Sequence, residues 1–173
     1  MIAARTDLAE VWRWLEGVPD PEIPALSVVD LGIVREVVWL DGDGDNVGAL
    51  RVTVTPTYSG CPATRIIEAD IARALRERGV ARVEIEIRVA PAWTTDWLSA
   101  AGREKLRAYG ISPPERGGSR VLDIAPGFIE PGVTCPRCAS ANVELTSRFG
   151  STPCKALYRC HACREPFDHF KCH

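Results

Sequence analysis

Four cysteines near the end of the chain have the spacing of a metal site. Cys135 and Cys138 form one Cys-x-x-Cys pair, and Cys160 and Cys163 form a second pair beyond residues 139–159. Two residues between cysteines let both sulfurs reach one ion from a tight turn, and a second such turn across a hairpin completes a tetrahedron. The pattern predicts a closed site of the zinc-ribbon type. Four thiolates also suit a rubredoxin-like iron, so the residue types leave zinc and iron both open.

Three more residues of the same tail have ligand chemistry without a ligand spacing. Cys154 fits two interpretations, a small packed hydrophobic residue or an additional ligand. Cys172 and His173, with His161 and His169 nearby, form either a second or transient metal site or a frayed terminus. Composition alone does not separate these alternatives.

A seventh cysteine, Cys61, lies far from the others in the sequence. It follows Gly60 and precedes Pro62, where a loop runs into a predicted helix. The macrodipole at a helix N-terminus favours a thiolate, so we expect a lowered pKa and a sulfur suited to nucleophilic attack or metal binding. The alternative is an inert residue that merely occupies the start of the helix.

Other catalytic machinery is sparse. Asp20, Glu22 and Asp30 cluster around prolines, but acids in such loops usually cap helices or face water. The sequence contains no Walker loop, GxGxxG, GxSxG or HExxH motif. All three histidines lie in the tail, which leaves the first part of the chain without the usual general base. These features argue against a self-sufficient hydrolase, oxidoreductase or kinase.

The composition is that of a soluble globular protein. Of 173 residues, 46% are hydrophobic and 25% are charged, and the formal net charge of −2 gives no electrostatic case for nucleic acid or an anionic membrane. The first residues do not have the pattern of a signal peptide, and no apolar run is long enough to span a bilayer. Seven cysteines in such a chain indicate metal or thiol chemistry rather than disulfides. We expect a cytoplasmic protein with no nucleic-acid or membrane partner.

Hydrophobic periodicity predicts an α/β (α+β) domain with the element order α-β-β-α-β-α. The helices are predicted at residues 7–16, 62–79 and 94–109, and the strands at residues 33–40, 50–55 and 83–89. Turn residues at 41–46 make the first two strands a hairpin, and the helix between the second and third strands makes those two parallel. We expect a small mixed sheet with helices on one face.

Composition also predicts the domain boundaries. Residues 112–133 are rich in proline and glycine and are interpreted as a linker between an α/β domain at 1–111 and a ribbon at 134–173. Residues 143–145 and 156–159 suit short ribbon strands. A tail of this size buries too little apolar surface to fold alone, so a metal is expected on energetic grounds.

Several segments resemble known families. The sequences at residues 18–24, 28–34 and 60–62, extended by 93–94 and 110–114, resemble the α/β domain of SufT-type iron–sulfur maturation factors. The tail at residues 149–160 and 165–173 resembles the C-terminus of the PaaD (PaaJ) family. Together the two resemblances cover nearly the whole chain.

The resemblance implies a role beside the phenylacetyl-CoA epoxidase of aerobic phenylacetate degradation. That system combines a di-iron oxygenase with a flavin and iron–sulfur reductase, and PaaD-like chains are its small, non-catalytic accessory subunit. The implied task is the assembly of iron or iron–sulfur centres in these two partners. The same resemblance marks Cys61 as the functional thiol and makes Cys154 and Cys172 plausible ligands.

The sequence leaves three functions open. In the first, Cys61 transiently holds iron or a cluster and the zinc ribbon docks onto the client. In the second, the chain is a structural or adaptor subunit in which zinc stabilises the tail and Cys61 is inert. In the third, the ribbon holds redox-active iron and the protein transfers electrons.

Overall fold

The computed structural model describes residues 6–42, 48–116 and 132–171. It divides into two compact units, Met1–Trp93 and Thr94–His173. Neither unit contains, within the described residues, a helix of the length and apolarity that a bilayer span requires.

Unit 1 contains five elements in the order predicted from periodicity. They are α1 Leu8–Leu15, β1 Val34–Trp39, β2 Leu50–Val54, α2 Thr64–Glu77 and β3 Val83–Ile87. The side chain of Asp7 caps α1 by accepting a hydrogen bond from the Ala9 backbone N–H at 3.2 Å. Residues 43–46 of the predicted turn lie outside the described residues.

The sheet of unit 1 is mixed, as predicted. Its order is β1-β2-β3, with β1 antiparallel and β3 parallel to β2. Leu50, Val52 and Val54 alternate along β2 and are at most 1% exposed, so one side of the central strand faces the core. The other side carries charged residues, among them Arg88, which lies 3.1 Å from Glu86. The helix between the parallel strands buries Ile67, Ile71, Ala72 and Leu75.

The loop before β1 is held by two buried carboxylates. Asp20 Oδ1 accepts hydrogen bonds from the backbone N–H groups of Glu22 (3.0 Å) and Ile23 (2.7 Å). Asp30 Oδ2 accepts from both the backbone N–H (3.0 Å) and the hydroxyl (2.9 Å) of Ser27. These carboxylates satisfy backbone groups that would otherwise be buried without partners, and they fix the position of Glu22.

The Trp93 indole provides a stability prediction for unit 1. Trp93 is 2% exposed and its Nε1–H donates to the Leu31 carbonyl at 2.8 Å. Trp93→Phe removes this donor inside the core, so we expect a loss of about 1–3 kcal/mol in unfolding free energy. Trp39→Phe is the control, because Trp39 also donates to a backbone carbonyl, that of Thr6, but is only partly buried. Denaturant unfolding that gives equal losses for both variants would contradict the role assigned to the Trp93 bond.

Unit 2 contains one helix and a four-stranded sheet. A 3-10 turn at Thr95–Trp97 precedes α3 Ala100–Tyr109, and the strands are β4 Ile111–Ser112, β5 Val143–Ser147, β6 Lys155–Cys160 and β7 Pro166–Phe170. The Ser99 hydroxyl caps α3 by accepting from the Gly102 N–H at 2.8 Å. Gly110 ends the helix with a φ of 89°, a left-handed conformation that favours glycine. The sheet order is β4-β7-β6-β5.

The division between the units falls earlier than the boundary predicted after residue 111. The physical reason is β4, whose residues Ile111 and Ser112 pair in parallel with Asp168 and His169 of β7. This pairing places α3 and β4 in unit 2, so Ser112 lies in a strand rather than in a linker. Residues 117–131 of the predicted linker are outside the described residues, and for them the linker remains a prediction.

Candidate functional site

The four predicted ligand cysteines converge in unit 2. Cys135 and Cys138 lie in a turn before β5, Cys160 is the last residue of β6, and Cys163 lies in the turn that leads to β7. All four sulfur atoms lie within 4.8 Å of one another. Two of the distances are 3.7 Å, between Cys135 and Cys163, and 3.5 Å, between Cys138 and Cys160. The antiparallel pairing of β5 with β6 and of β6 with β7 holds the two turns side by side.

Both turns have the same backbone shape. The Cys135 N–H donates to the Ser140 carbonyl at 2.9 Å, and the Cys160 N–H donates to the Glu165 carbonyl at 3.0 Å. The residue after the second cysteine of each pair is left-handed, with φ values of 58° for Ala139 and 64° for Arg164. This conformation is uncommon for residues other than glycine. Two turns that share such a feature at the same position hold their sulfurs in equivalent geometry.

The sulfur positions fit a tetrahedral ion. A Zn–S bond of about 2.3 Å implies about 3.8 Å between sulfurs of a regular tetrahedron. The measured distances of 3.5 and 3.7 Å are near that value. Cys135 and Cys160 are at most 1% exposed, whereas Cys138 is exposed. Four sulfur ligands leave no open coordination position, so this arrangement is a closed metal-binding centre suited to structure rather than catalysis.

In the metal-free site, the four thiols do not all lose their protons at neutral pH. The backbone N–H of Cys163 and a hydrogen bond with the Cys138 thiol lower the pKa of Cys160 to about 6. The Glu165 backbone N–H acts to lower the pKa of Cys163, but burial and the contact with Cys160 raise it to about 12. At neutral pH the metal-free site therefore keeps protons that a bound ion must displace, and metal affinity falls as pH falls.

Two of the ligands also belong to the hydrophobic core of the ribbon. Cys135 and Cys160 pack in one cluster of buried residues with Val133, Val143, Ala156, Tyr158 and Phe167. The rings of Tyr158 and Phe167 stack at 5.9 Å between centroids. A core this small supplies little stabilisation by itself, so metal binding and folding are expected to be coupled here.

Of the additional ligands suggested by the sequence, Cys154 does not join this centre. Cys154 is 3% exposed, and its sulfur lies 3.1 Å from the Thr152 hydroxyl rather than among the four thiols. Cys172 and His173 lie outside the described residues. A ligand role for any of these three remains a prediction.

Cys61 lies in unit 1, in the connection from β2 to α2. Its backbone N–H donates to the Tyr58 carbonyl (3.2 Å) and its carbonyl accepts from the Thr64 N–H (3.3 Å). The helix begins at Thr64 and its N-cap is Ala63, so the thiol lies in the turn before the helix rather than at its first position. The side chain is partly exposed.

The expectation of a lowered Cys61 pKa is wrong. Burial raises the pKa of the thiol, and the negative charges of Glu22 and Asp20 raise it further. Hydrogen bonds to the Ala63 backbone and the Thr64 side chain lower the pKa, but they do not outweigh these effects. The thiol of the free protein is therefore protonated at neutral pH, and a metal must displace the proton to bind. Sequence reasoning noted both acids but could not place them beside a cysteine about forty residues away.

This electrostatic environment predicts how Cys61 reacts. Glu22→Gln removes a negative charge that disfavours the thiolate, so alkylation of Cys61 at mildly alkaline pH should become faster. Mass spectrometry of the Cys61 peptide measures the rate separately from the other cysteines. Glu36→Gln is the matched control, because that carboxylate lies on β1, 3.9 Å from Arg88, and does not contribute to the Cys61 shift. An unchanged rate in Glu22→Gln would contradict the effect assigned to the Glu22 charge.

Two family models match different parts of the chain. Residues 8–87 match an iron–sulfur cluster assembly protein family, and residues 125–171 match the PaaD zinc beta ribbon domain. The first match covers unit 1 from α1 through β3 and includes Cys61. The second covers all four clustered cysteines.

Two individual proteins are similar to part of the chain. The chain is 37% identical over 86 residues to the Fe-S protein maturation auxiliary factor YitW of Bacillus subtilis (strain 168), covering 49% of this chain and 78% of that one. A Bacillus anthracis domain of unknown function, DUF59, has a crystal structure with 28% identity and a TM-score of 0.48, covering 57% of this chain and 89% of that one.

One relative matches both units together. It is an Escherichia coli (strain K12) protein named as a subunit of a "Putative 1,2-phenylacetyl-CoA epoxidase", and it is 49% identical over 163 residues. The match covers 94% of this chain and 92% of that protein. With an iron–sulfur assembly domain followed by a four-cysteine ribbon, and this identity over almost its full length, the chain belongs to the PaaD family.

Proposed function

We propose that this chain is an accessory protein of the phenylacetyl-CoA epoxidase and helps to assemble the iron or iron–sulfur centres of the oxygenase and reductase. The observation that carries the proposal is Cys61, a partly exposed thiol outside the four-cysteine centre, in the unit that matches an iron–sulfur assembly family. The epoxidase name of the full-length relative supports the choice of client.

The chemistry at Cys61 suits transient rather than permanent binding. Iron or a cluster is the cargo, and the sulfur binds it by losing its proton to solvent. The raised pKa makes this step unfavourable at neutral pH, so the cargo is held weakly and can be released. Glu22 and Asp20, whose charges disfavour the bare thiolate, favour a cation at the same position. A site with one thiol and nearby acids therefore fits a protein that passes metal on.

The ribbon has a different role in this proposal. Its four-thiolate centre binds zinc, which holds the turns together and takes no part in redox chemistry. The folded ribbon then provides a surface for docking to the oxygenase or reductase. The cysteines of the described residues are not disulfide-bonded, which fits a reducing compartment and a cytoplasmic protein.

One observation favours a second function, that of an adaptor. A protonated thiol at neutral pH is also what an inert cysteine shows. In that case the chain joins the oxygenase to the reductase, and zinc only stabilises the tail. The two functions differ in what the client lacks when the chain is absent.

The experiment compares the client purified from cells that express or lack this chain. Assembly predicts that the oxygenase or reductase made without the chain is short of iron or acid-labile sulfide, even as separate subunits. An adaptor predicts subunits with full metal content that fail to co-purify. Full iron and sulfide in a client made without the chain would refute the assembly function.

A further inference from the structure

One edge of the unit 1 sheet is open. Strand β3 pairs with β2 on one side, and within the residues that the structure describes no strand pairs with its other side. The Arg82 carbonyl accepts a hydrogen bond from the Leu50 N–H, and the Arg88 N–H donates to the Val54 carbonyl. The backbone N–H and C=O groups of even-numbered residues along this strand therefore point toward β2. Alternate residues of a parallel strand bond to a given neighbour. The backbone groups of the odd-numbered residues, from Val83 to Ile87, therefore point to the open edge.

This edge exposes apolar side chains. Ile87 is 38% exposed and Val89 is 57% exposed, whereas Val54, the residue opposite Ile87 in β2, is 1% exposed. An open strand edge next to exposed branched side chains is a template for pairing with another strand, and natural proteins usually cover such edges. Ile87 is the last residue of β3, and Val89 lies two residues beyond it.

The charges along the edge select one antiparallel register with a second copy of the chain. A twofold axis at Ile87 sets Ile87 against itself and Ile85 against Val89 of the other copy. It also sets Glu86 opposite Arg88 of the other copy, twice by symmetry. Both side chains are partly exposed, at 39% and 43%, and opposite charges on facing strands attract.

Neighbouring registers are less favourable. An axis at Glu86 sets Glu84 opposite Arg88 twice, but it also sets the Glu86 carboxylate against its own copy at the centre. An axis at Ile85 sets Glu84 against Glu86 and Arg82 against Arg88, so all four facing pairs repel. Moving the axis by one residue changes the strand register by two residues. Registers that differ by an odd number are not allowed, because they would place at the interface backbone groups that already bond to β2. Of these three registers, only the one centred on Ile87 covers both exposed apolar residues with opposite charges facing each other and no like charges facing each other.

We propose that the chain forms a symmetric dimer in which β3 pairs antiparallel with β3 of a second copy, with the twofold axis at Ile87. The mixed sheet then extends from three strands to six. Because Ile87 is opposite Val54, the last residue of β2, the axis lies near the end of the sheet where the chain leaves for Cys61. The dimer therefore brings the starts of both thiol loops near the twofold axis, from which they leave the continuous sheet in opposite directions.

The first test measures the mass of the full-length protein by sedimentation velocity over a range of concentrations. We expect a reversible dimer whose dissociation constant increases at least about tenfold in Ile87→Lys, which sets two ammonium groups against each other. Phe149→Lys is the control, because Phe149 is an exposed apolar residue (63%) of unit 2 and its replacement should leave the dimer unchanged. A wild-type monomer at every concentration, an Ile87→Lys protein that still dimerises, or loss of the dimer in the control would overturn the proposal.

The second test uses charge exchange and fixes the register. Glu86→Arg and Arg88→Glu should each weaken the dimer, because like charges then face each other. An equimolar mixture should form a heterodimer, in which every facing pair is again opposite in charge. Circular dichroism of each variant confirms that it is folded. A mixture that remains monomeric while the wild type dimerises would contradict this register.

Discussion

Replacing Cys138 with Ser should remove the ribbon's metal and unfold the β4–β7 sheet while unit 1 stays folded. A serine hydroxyl is a poor zinc ligand, so the affinity for zinc should fall by more than about a hundredfold. Two of the remaining ligands, Cys135 and Cys160, lie in the small core around Tyr158, and that core is expected to need the ion. Unit 1 has its own sheet and its own buried residues, so its helices and strands should persist.

Elemental analysis together with hydrogen exchange checks this result. The wild type should contain about one zinc per chain, and exchange in the variant should be fast along β5, β6 and β7. Cys61→Ser is the matched control, because Cys61 lies outside the cluster and its loss should leave the zinc in place. If the ribbon instead contains iron, and the protein is coloured and redox-active, the result would support an electron-transfer function. A ribbon that stays protected without metal would show that the coupling of metal to fold is wrong.

Cys61→Ser should leave the fold of this chain intact, but cells that carry the variant should lose epoxidase activity. The side chain is only partly buried and Ser is similar in size, so the unfolding free energy should change by no more than about 1 kcal/mol. A hydroxyl does not replace a thiolate as an iron ligand, so cells that carry the variant should not assemble an active epoxidase. Growth on phenylacetate and epoxidase activity in extracts measure this loss.

Two controls separate this chemistry from stability. Cys154→Ser changes a cysteine that lies outside the four-thiol centre, and cells that carry it should retain epoxidase activity as long as it folds. A Cys61→Ser protein that does not fold would show that Cys61 is a core residue, and its loss of activity would say nothing about iron. Thermal melts of both variants decide this before activity is compared.

The features that sequence reasoning predicted well depend on local patterns. The two-residue alternation of Leu50, Val52 and Val54 placed β2, and the helix that follows it made β3 parallel, as the structure confirms. Each Cys-x-x-Cys turn is equally local, because the spacing alone brings the two sulfurs of one pair to the same side of a turn. Full-length similarity to a PaaD relative confirmed the family that the motifs suggested.

The features that sequence reasoning missed depend on contacts between residues that are distant in the sequence. Strand β4 has only two residues and exists because it pairs with β7, more than fifty positions later, so no periodicity could reveal it. Helix α3 begins at Ala100 rather than at residue 94, because Thr95–Trp97 form a 3-10 turn and Ser99 provides the cap. The pKa of Cys61 depends on burial and on Glu22, neither of which is visible from the residues around the thiol.

The most direct test of an assembly function for Cys61 is the iron and acid-labile sulfide content of the oxygenase and reductase purified from cells in which this chain carries Cys61→Ser. If Cys61 carries the cargo, these subunits should be made in normal amounts but lack iron or cluster, while the variant remains folded and keeps its zinc. Full iron and sulfide content in both subunits, with a folded Cys61→Ser protein, would contradict this function.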